Sequence, residues 1–261
     1  MSENSFSIIA IMIQAVVLLS LIGWSAKTLI RERFSEPVAF TAFALTCLLL
    51  SDLYWIAWGL LEPEARMPFA VNEIGECAMF LLLAAAVRTQ LADAPRFNGL
   101  QALLPALFAA CNVGLWIAWS DEWVQDIVTG LALGYYLIIV VRLMWQDNAL
   151  SGKAWIGLGV LSMLLVLLQG LTFFTPKVTS TTLDAICYGL MAIGILWLLV
   201  LCLRAVRLHE RAALALTFGS YGWGLICLYM SSGVPYTLIL LCITVMLPLM
   251  VISMKRRVIA P

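Results

Sequence analysis

Residues 183–203 read LDAICYGLMAIGILWLLVLCL, an apolar run of 21 residues in which Asp184 is the single charged side chain. A helix needs about 17–25 apolar residues to cross the hydrocarbon core of a bilayer. Basic residues lie on both sides of this run, at Lys177 and Arg204. The run therefore predicts a transmembrane helix.

Eight more runs of this kind occur along the chain. The polar breaks between them include the proline-containing loops 62–68 and 93–96 and the sequence Ser-Ser-Gly at 231–233, all typical of turns. The signal is weakest in the first run and in the eighth, which holds three glycines. The nine predicted spans are 7–26, 38–61, 68–87, 99–119, 123–141, 154–174, 183–203, 212–230 and 234–254.

The composition of the whole chain agrees with these runs. Its 261 residues are 63% hydrophobic and 11% charged, with a mean hydropathy of +1.01, whereas soluble domains are about 45–50% apolar and about 25% charged. We therefore predict an all-α, polytopic helical bundle that forms one transmembrane domain over residues 1–261, with no soluble domain and with the lipid bilayer as its solvent. The 15 basic and 15 acidic residues balance, which excludes a nucleic-acid-binding protein.

The basic residues predict the orientation. With nine spans, 13 of the 15 fall on one side of the membrane, and only Arg66 and Lys177 fall on the other. Cytoplasmic loops carry the excess of Lys and Arg, so we expect the N-terminus outside, the C-terminus in the cytoplasm and a location in the plasma membrane, of the bacterial cytoplasmic type. Ten of the 15 acids fall on the outer side, where they would attract cations.

Several function classes are excluded by missing residue types. His209 is the only histidine, so a bis-histidine haem or a histidine-rich zinc site cannot form. The seven cysteines are scattered through the spans without a C-x-x-C pair, and no lysine lies inside a span to hold retinal. We expect no cofactor and no metal. Catalysis ranks last among the functions, because no nucleophile–base pair is visible.

Three acids inside the predicted spans are the main site candidates. With a helical rise of 1.5 Å per residue, Asp52 lies roughly 13 Å from the outer end of its helix, and Glu73 and Glu76 roughly 8 and 12 Å from theirs. Their two helices are joined by a short loop, so the three carboxyls reach similar depth. Ionisable groups at such depth usually mark function or a buried pair. The functional hypothesis is an outward-facing acidic pocket for a cation or a proton, with at least one acid protonated. The alternative is that these acids pair internally, for instance with Arg66, or form hydrogen bonds as neutral acids.

Neighbouring polar and aromatic residues extend this candidate site. Tyr54 and Trp55 follow Asp52, and aromatic faces beside a carboxylate suit an organic cation; Asn72 precedes Glu73. A second group of polar residues shares the outer depth, although such residues often only bond neighbouring helices. This group comprises Asn112, Asp126, Gln169 and Asp184. Trp116, in contrast, is predicted to anchor its helix at the membrane interface.

Three functions fit this pattern. The first is a small-solute transporter or carrier that uses the acids for a cationic substrate or a coupling proton. The second is a membrane sensor that binds a ligand in the same pocket and signals to a separate cytoplasmic protein partner. The third is a haem-free, quinone-binding membrane subunit of a redox complex. Transport into a sealed vesicle separates the first from the other two.

Overall fold

A computed structural model of the chain describes residues 3–31, 34–61, 71–91, 99–120 and 123–259. Within these ranges the regular structure is entirely helical, which confirms the predicted all-α class for the described residues. The helices are α1 (Glu3–Arg31), α2 (Glu36–Leu61), α3 (Val71–Arg88), α4 (Gly99–Ser120), α5 (Trp123–Gln146), α6 (Gly152–Thr172), α7 (Lys177–Arg207), α8 (Ala213–Tyr229) and α9 (Gly233–Ile259).

Six of the described helices contain a segment long and apolar enough to cross a membrane. These segments lie in α1, α2, α5, α6, α7 and α9. Helix α8 is apolar but has only 17 residues, and α3 has 18 and carries Glu73 and Glu76 near its start. The chain is thus a helical protein whose long apolar helices are of membrane-spanning type.

Each predicted span overlaps one helix, but several helices are longer than their apolar runs. Helix α7 begins six residues before the predicted span and continues to Arg207, and α9 continues to Ile259. Hydropathy detects only the apolar part of a helix, whereas backbone hydrogen bonding continues into the polar residues at its ends. The predicted start of the third span, residue 68, lies outside the described residues.

Helix α8 lies at the centre of the bundle. Of its 17 residues 15 are buried, and it packs against α5, α7 and α9. A Cβ atom at Gly222 would lie 2.8 Å from the Tyr136 ring, and one at Gly224 would lie 2.6 Å from Ile243. Small residues let helices approach closely in membranes, so the glycines that weaken the apolar signal of this segment are the ones that allow its central position.

Helix α6 is the most peripheral helix. It packs mainly against α7, with a smaller contact to α4. Its large apolar side chains are exposed over most of their surface, including Ile156, Val160 and Leu167. An apolar face of this kind is costly in water but suits contact with lipid chains.

Candidate functional site

Helices α2 and α3 form the most extensive helix pair of the bundle, and Gly75 lies where they approach. A Cβ atom at this position would be 3.1 Å from the carbonyl oxygen of Cys47 and 3.3 Å from the Cβ of Ser51. A Cβ atom here would require the neighbouring helix to shift, so glycine favours this close approach. Asp52 follows Ser51 and Glu76 follows Gly75, so the two acids lie at nearby levels of the two helices.

A cavity of about 320 Å³ opens beside this contact, at the end of the bundle where α3 and α9 begin. Asp52, Glu73 and Glu76 all line it. Helices α1, α2, α4, α5, α8 and α9 supply the other polar and aromatic walls. These walls include Gln14, Trp55, Trp116, Gln125, Asp126, Thr129, Tyr229 and Tyr236.

Two of the three acids accept hydrogen bonds from neutral side chains. The Tyr229 hydroxyl donates to Glu76 Oε2 at 2.5 Å, and Gln125 Nε2 donates to Glu73 Oε1 at 2.8 Å. No Lys or Arg among the described residues forms a salt bridge with Asp52, Glu73 or Glu76. Arg66, the alternative partner considered from the sequence, lies outside the described residues. Asp52, Glu73 and Glu76 therefore have no compensating base among the described residues.

Four buried polar atoms at this cavity lack a hydrogen-bond partner. They are the acceptors Asp52 Oδ2, Glu73 Oε2 and Gln14 Oε1 and the donor Trp116 Nε1. Gln14 is only 2% exposed and Trp116 only 8% exposed. More than nine in ten buried polar groups in proteins are bonded, so four exceptions at one cavity make it a candidate binding site.

Aromatic rings form part of the cavity wall. The Trp116 and Tyr229 rings meet edge to face, with centroids 5.5 Å apart and planes at 81°. The interpretation of Trp116 as an interface anchor is wrong, because its side chain is buried and lines the cavity. Spacing along the chain gives the depth of a tryptophan but not the direction in which its ring points.

The residues beside the predicted acids have different positions. Trp55 lines the cavity. Tyr54, one residue earlier, is not among the lining residues, and its ring lies 6.4 Å from that of Trp58. The side chain of Asn72 lies outside the described residues. Successive residues of a helix point about 100° apart, so one of two neighbours can face the cavity while the other points away from it.

Asp126 is the one member of the predicted second group that lines the cavity. Asn112 is fully buried, and its Nδ2 donates to the Phe108 carbonyl at 2.7 Å, one helical turn earlier. Gln169 and Asp184 lie on α6 and α7, which do not contribute to the cavity lining. Their similar predicted depth therefore does not place these residues in the same cavity.

Several residues of the site could not be identified from the sequence alone. Gln125 donates to Glu73 and adjoins Asp126 in the first turn of α5. Its position beside that acid could have indicated its role. Tyr229 and Tyr236 flank the break between α8 and α9. Their position at the same end of the bundle as Glu73 could have indicated them, but only once α8 was known to pack in the centre.

The opposite end of the bundle contains a fully buried acid, Asp147. Its carboxylate has 0% exposure, Arg257 donates to both of its oxygens, and Arg211 Nε lies 3.4 Å from Oδ1. A cleft of about 1,030 Å³ lies beside this cluster. This acid is thus held by basic partners.

The chain matches no protein-family model, no curated protein and no solved structure. Within the described residues, no three His, Cys, Asp or Glu side chains are arranged to hold a metal ion. The cavity itself offers three kinds of group to a ligand: carboxylates that attract positive charge, acceptors that need hydrogen-bond donors, and aromatic rings.

Proposed function

We propose that the protein is a small-solute transporter or carrier whose acidic cavity takes a cationic ligand or a proton. One observation carries this proposal: Asp52, Glu73 and Glu76 line one cavity together with Asp126, and none of the first three forms a salt bridge with a described Lys or Arg. Burial of an ionised carboxylate is costly unless an opposite charge or hydrogen bonds compensate it. A bound cation or proton supplies that compensation at the moment of binding.

We further propose that all nine helices cross the membrane, with the N-terminus outside and the C-terminus in the cytoplasm of a bacterial-type plasma membrane. The asymmetry of 13 basic residues against two supports this topology. The 17 residues of α8 reach about 26 Å at 1.5 Å per residue, close to the hydrocarbon thickness of about 30 Å. In this topology the cavity opens toward the outer side.

The volume of the cavity supports a small solute. Pockets for drug-sized ligands measure about 300–1,000 Å³, and the cavity measures about 320 Å³. A long-chain quinone would need an extended apolar channel, whereas this cavity carries four unpartnered polar atoms. The transporter hypothesis is therefore preferred over the redox-subunit hypothesis.

The test is uptake by the full chain reconstituted in sealed vesicles of neutral lipid. Methylammonium, tetramethylammonium and sodium serve as probes, and a pH-sensitive dye inside the vesicle reports proton movement. We expect saturable uptake of at least one cation or of protons, above that of protein-free vesicles and reduced tenfold or more in Asp52→Asn and Glu73→Gln. Asp184→Asn is the matched control, because Asp184 does not line the cavity.

Two outcomes contradict the transporter hypothesis. Cation binding without any uptake favours the membrane sensor, which would use the same cavity and a separate cytoplasmic partner. Binding of an anion or of an apolar quinone, unchanged in both carboxyl variants, rejects the cation site and favours the redox-subunit hypothesis.

A further inference from the structure

The four unpartnered atoms of the cavity comprise acceptors and a donor, and this composition indicates which groups a ligand must carry. Three of them accept hydrogen bonds: Asp52 Oδ2, Glu73 Oε2 and Gln14 Oε1. The fourth, Trp116 Nε1, can only donate. A ligand that satisfies this set must bring several N–H or O–H donors together with at least one acceptor.

We propose that the ligand is a small organic primary ammonium that also carries a hydrogen-bond acceptor, a refinement that rests on the proposed function. A primary ammonium has three N–H donors, like the side chain of lysine. Three donors equal the number of unpartnered acceptors, and the single positive charge compensates one carboxylate. The acceptor of the ligand receives the indole N–H of Trp116.

Other cations fit the same groups less well. A quaternary ammonium would contact the rings of Trp55 and Trp116, but it has no N–H and would leave all three acceptors unpaired. A bare metal ion needs several oxygen ligands around one point, and it brings no hydrogen-bond acceptor for the indole N–H of Trp116.

The volume limits the length of the ligand. Each water molecule occupies about 30 Å³ in the liquid, so the cavity of about 320 Å³ accommodates roughly ten waters or a solute of comparable size. Trp116 comes from α4, whereas Asp52 and Glu73 come from α2 and α3. The acceptor of the ligand must therefore be separated from its ammonium group, as in an amino ether or an amino alcohol.

The test compares three matched probes by calorimetry on the purified full chain in detergent. The probes are 2-methoxyethylamine, n-butylamine, which has the same length without the ether oxygen, and (2-methoxyethyl)trimethylammonium, which has no N–H. We expect 2-methoxyethylamine to bind most tightly. Loss of the acceptor should weaken binding about three- to tenfold, the size of one neutral hydrogen bond. Loss of the N–H donors should weaken it more.

Trp116→Phe tests the assigned donor, because phenylalanine keeps an aromatic ring and removes Nε1. The advantage of 2-methoxyethylamine over n-butylamine should disappear in this variant. Trp58→Phe is the control, since Trp58 does not line the cavity; it should keep the advantage.

The outcomes separate this inference from the proposed function. Equal binding of the primary and quaternary probes, or an ether advantage that persists in Trp116→Phe, overturns the inference and leaves the cation cavity in place. Tight binding of sodium alone has the same consequence. Failure of every cation to bind the wild-type chain overturns both. The comparison of probes on the wild-type chain decides the matter even where Trp116→Phe does not fold.

Discussion

At one end of the bundle the buried carboxylate of Asp147 lies between Arg257 and Arg211. At the other end Asp52, Glu73 and Glu76 line a cavity, and the described groups that donate to Glu73 and Glu76 are neutral. Asp147 is fully buried, whereas these three acids are partly buried. The carboxylate of Asp147 has basic partners within the protein, whereas four polar atoms at the cavity have no hydrogen-bond partner.

The difference separates two uses of buried charge. A carboxylate that is fully bonded by arginines contributes to the folded state, and removal of one partner is costly. A carboxylate left without a base lowers stability, and proteins retain such groups where function requires them. The two ends should therefore respond to substitution in opposite ways.

The largest effect is expected at the paired end. Arg257→Met removes the arginine that binds both oxygens of Asp147 and is only 16% exposed, so it should lower the free energy of unfolding by about 3–5 kcal/mol. Unfolding in mixed detergent micelles, followed by circular dichroism, measures this. Arg211→Met is the control: its side chain is 75% exposed, and such pairs contribute about 0–1 kcal/mol. Equal losses in the two variants would contradict the assigned roles.

Substitutions at the cavity should reduce binding but not stability. Asp52→Asn and Glu73→Gln remove a charge while keeping an oxygen acceptor, and Gln125 can still donate to residue 73. We expect cation affinity to fall tenfold or more, because charge-assisted bonds are lost. The free energy of unfolding should stay equal or rise by about 1 kcal/mol. A loss of stability like that of Arg257→Met would show that the acids are structurally paired.

Acidification should weaken cation binding. Protons and the cation compete for the same carboxyl groups, so binding releases protons and affinity falls as the pH is lowered, by up to about tenfold per pH unit for each proton released. Calorimetry in two buffers of different ionisation enthalpy counts the protons. Affinity that is independent of pH, with no proton release, would mean that the ligand does not contact the carboxyl groups.

A smaller effect is expected where α2 and α3 meet. Gly75→Ala places a methyl group 3.1 Å from the backbone oxygen of Cys47, which cannot move aside as a flexible side chain would. The helices should separate slightly, and cation affinity should fall about threefold, in line with roughly 0.7 kcal/mol of lost positioning. Gly114→Ala is the control, since nothing lies within 4 Å of its Cβ position. An unchanged affinity in Gly75→Ala would show that this contact does not position the acids.

The helices could be predicted from the sequence because apolar length is a local property. The run at 183–203 indicates a helix without reference to any other part of the chain. The eighth segment was harder to predict, because Gly222 and Gly224 weaken its apolar pattern. The structure shows that these glycines allow close contact with Tyr136 and Ile243. Close packing between distant helices leaves little trace in either sequence alone.

The sequence predicts how far along its helix each site residue lies, but not the direction in which its side chain points around the helix axis. Depth follows from the rise per residue, which is how Asp52, Glu73 and Glu76 were grouped. Direction around the helix axis needs a polar face, and helices that are apolar all round provide none. Asp184 therefore shares the depth of the site without lining it, while Trp116 and Tyr229 line it without having been grouped with the acids.

The central position of α8 has a consequence for biosynthesis. As the chain is made, its neighbours α5 and α7 are complete before α8 emerges, and its remaining neighbour α9 follows it. Until α9 packs, the face of α8 at Gly224, which Ile243 covers in the finished protein, stays uncovered by this helix. Tyr236, which lies on α9, therefore reaches the cavity only after α9 has packed.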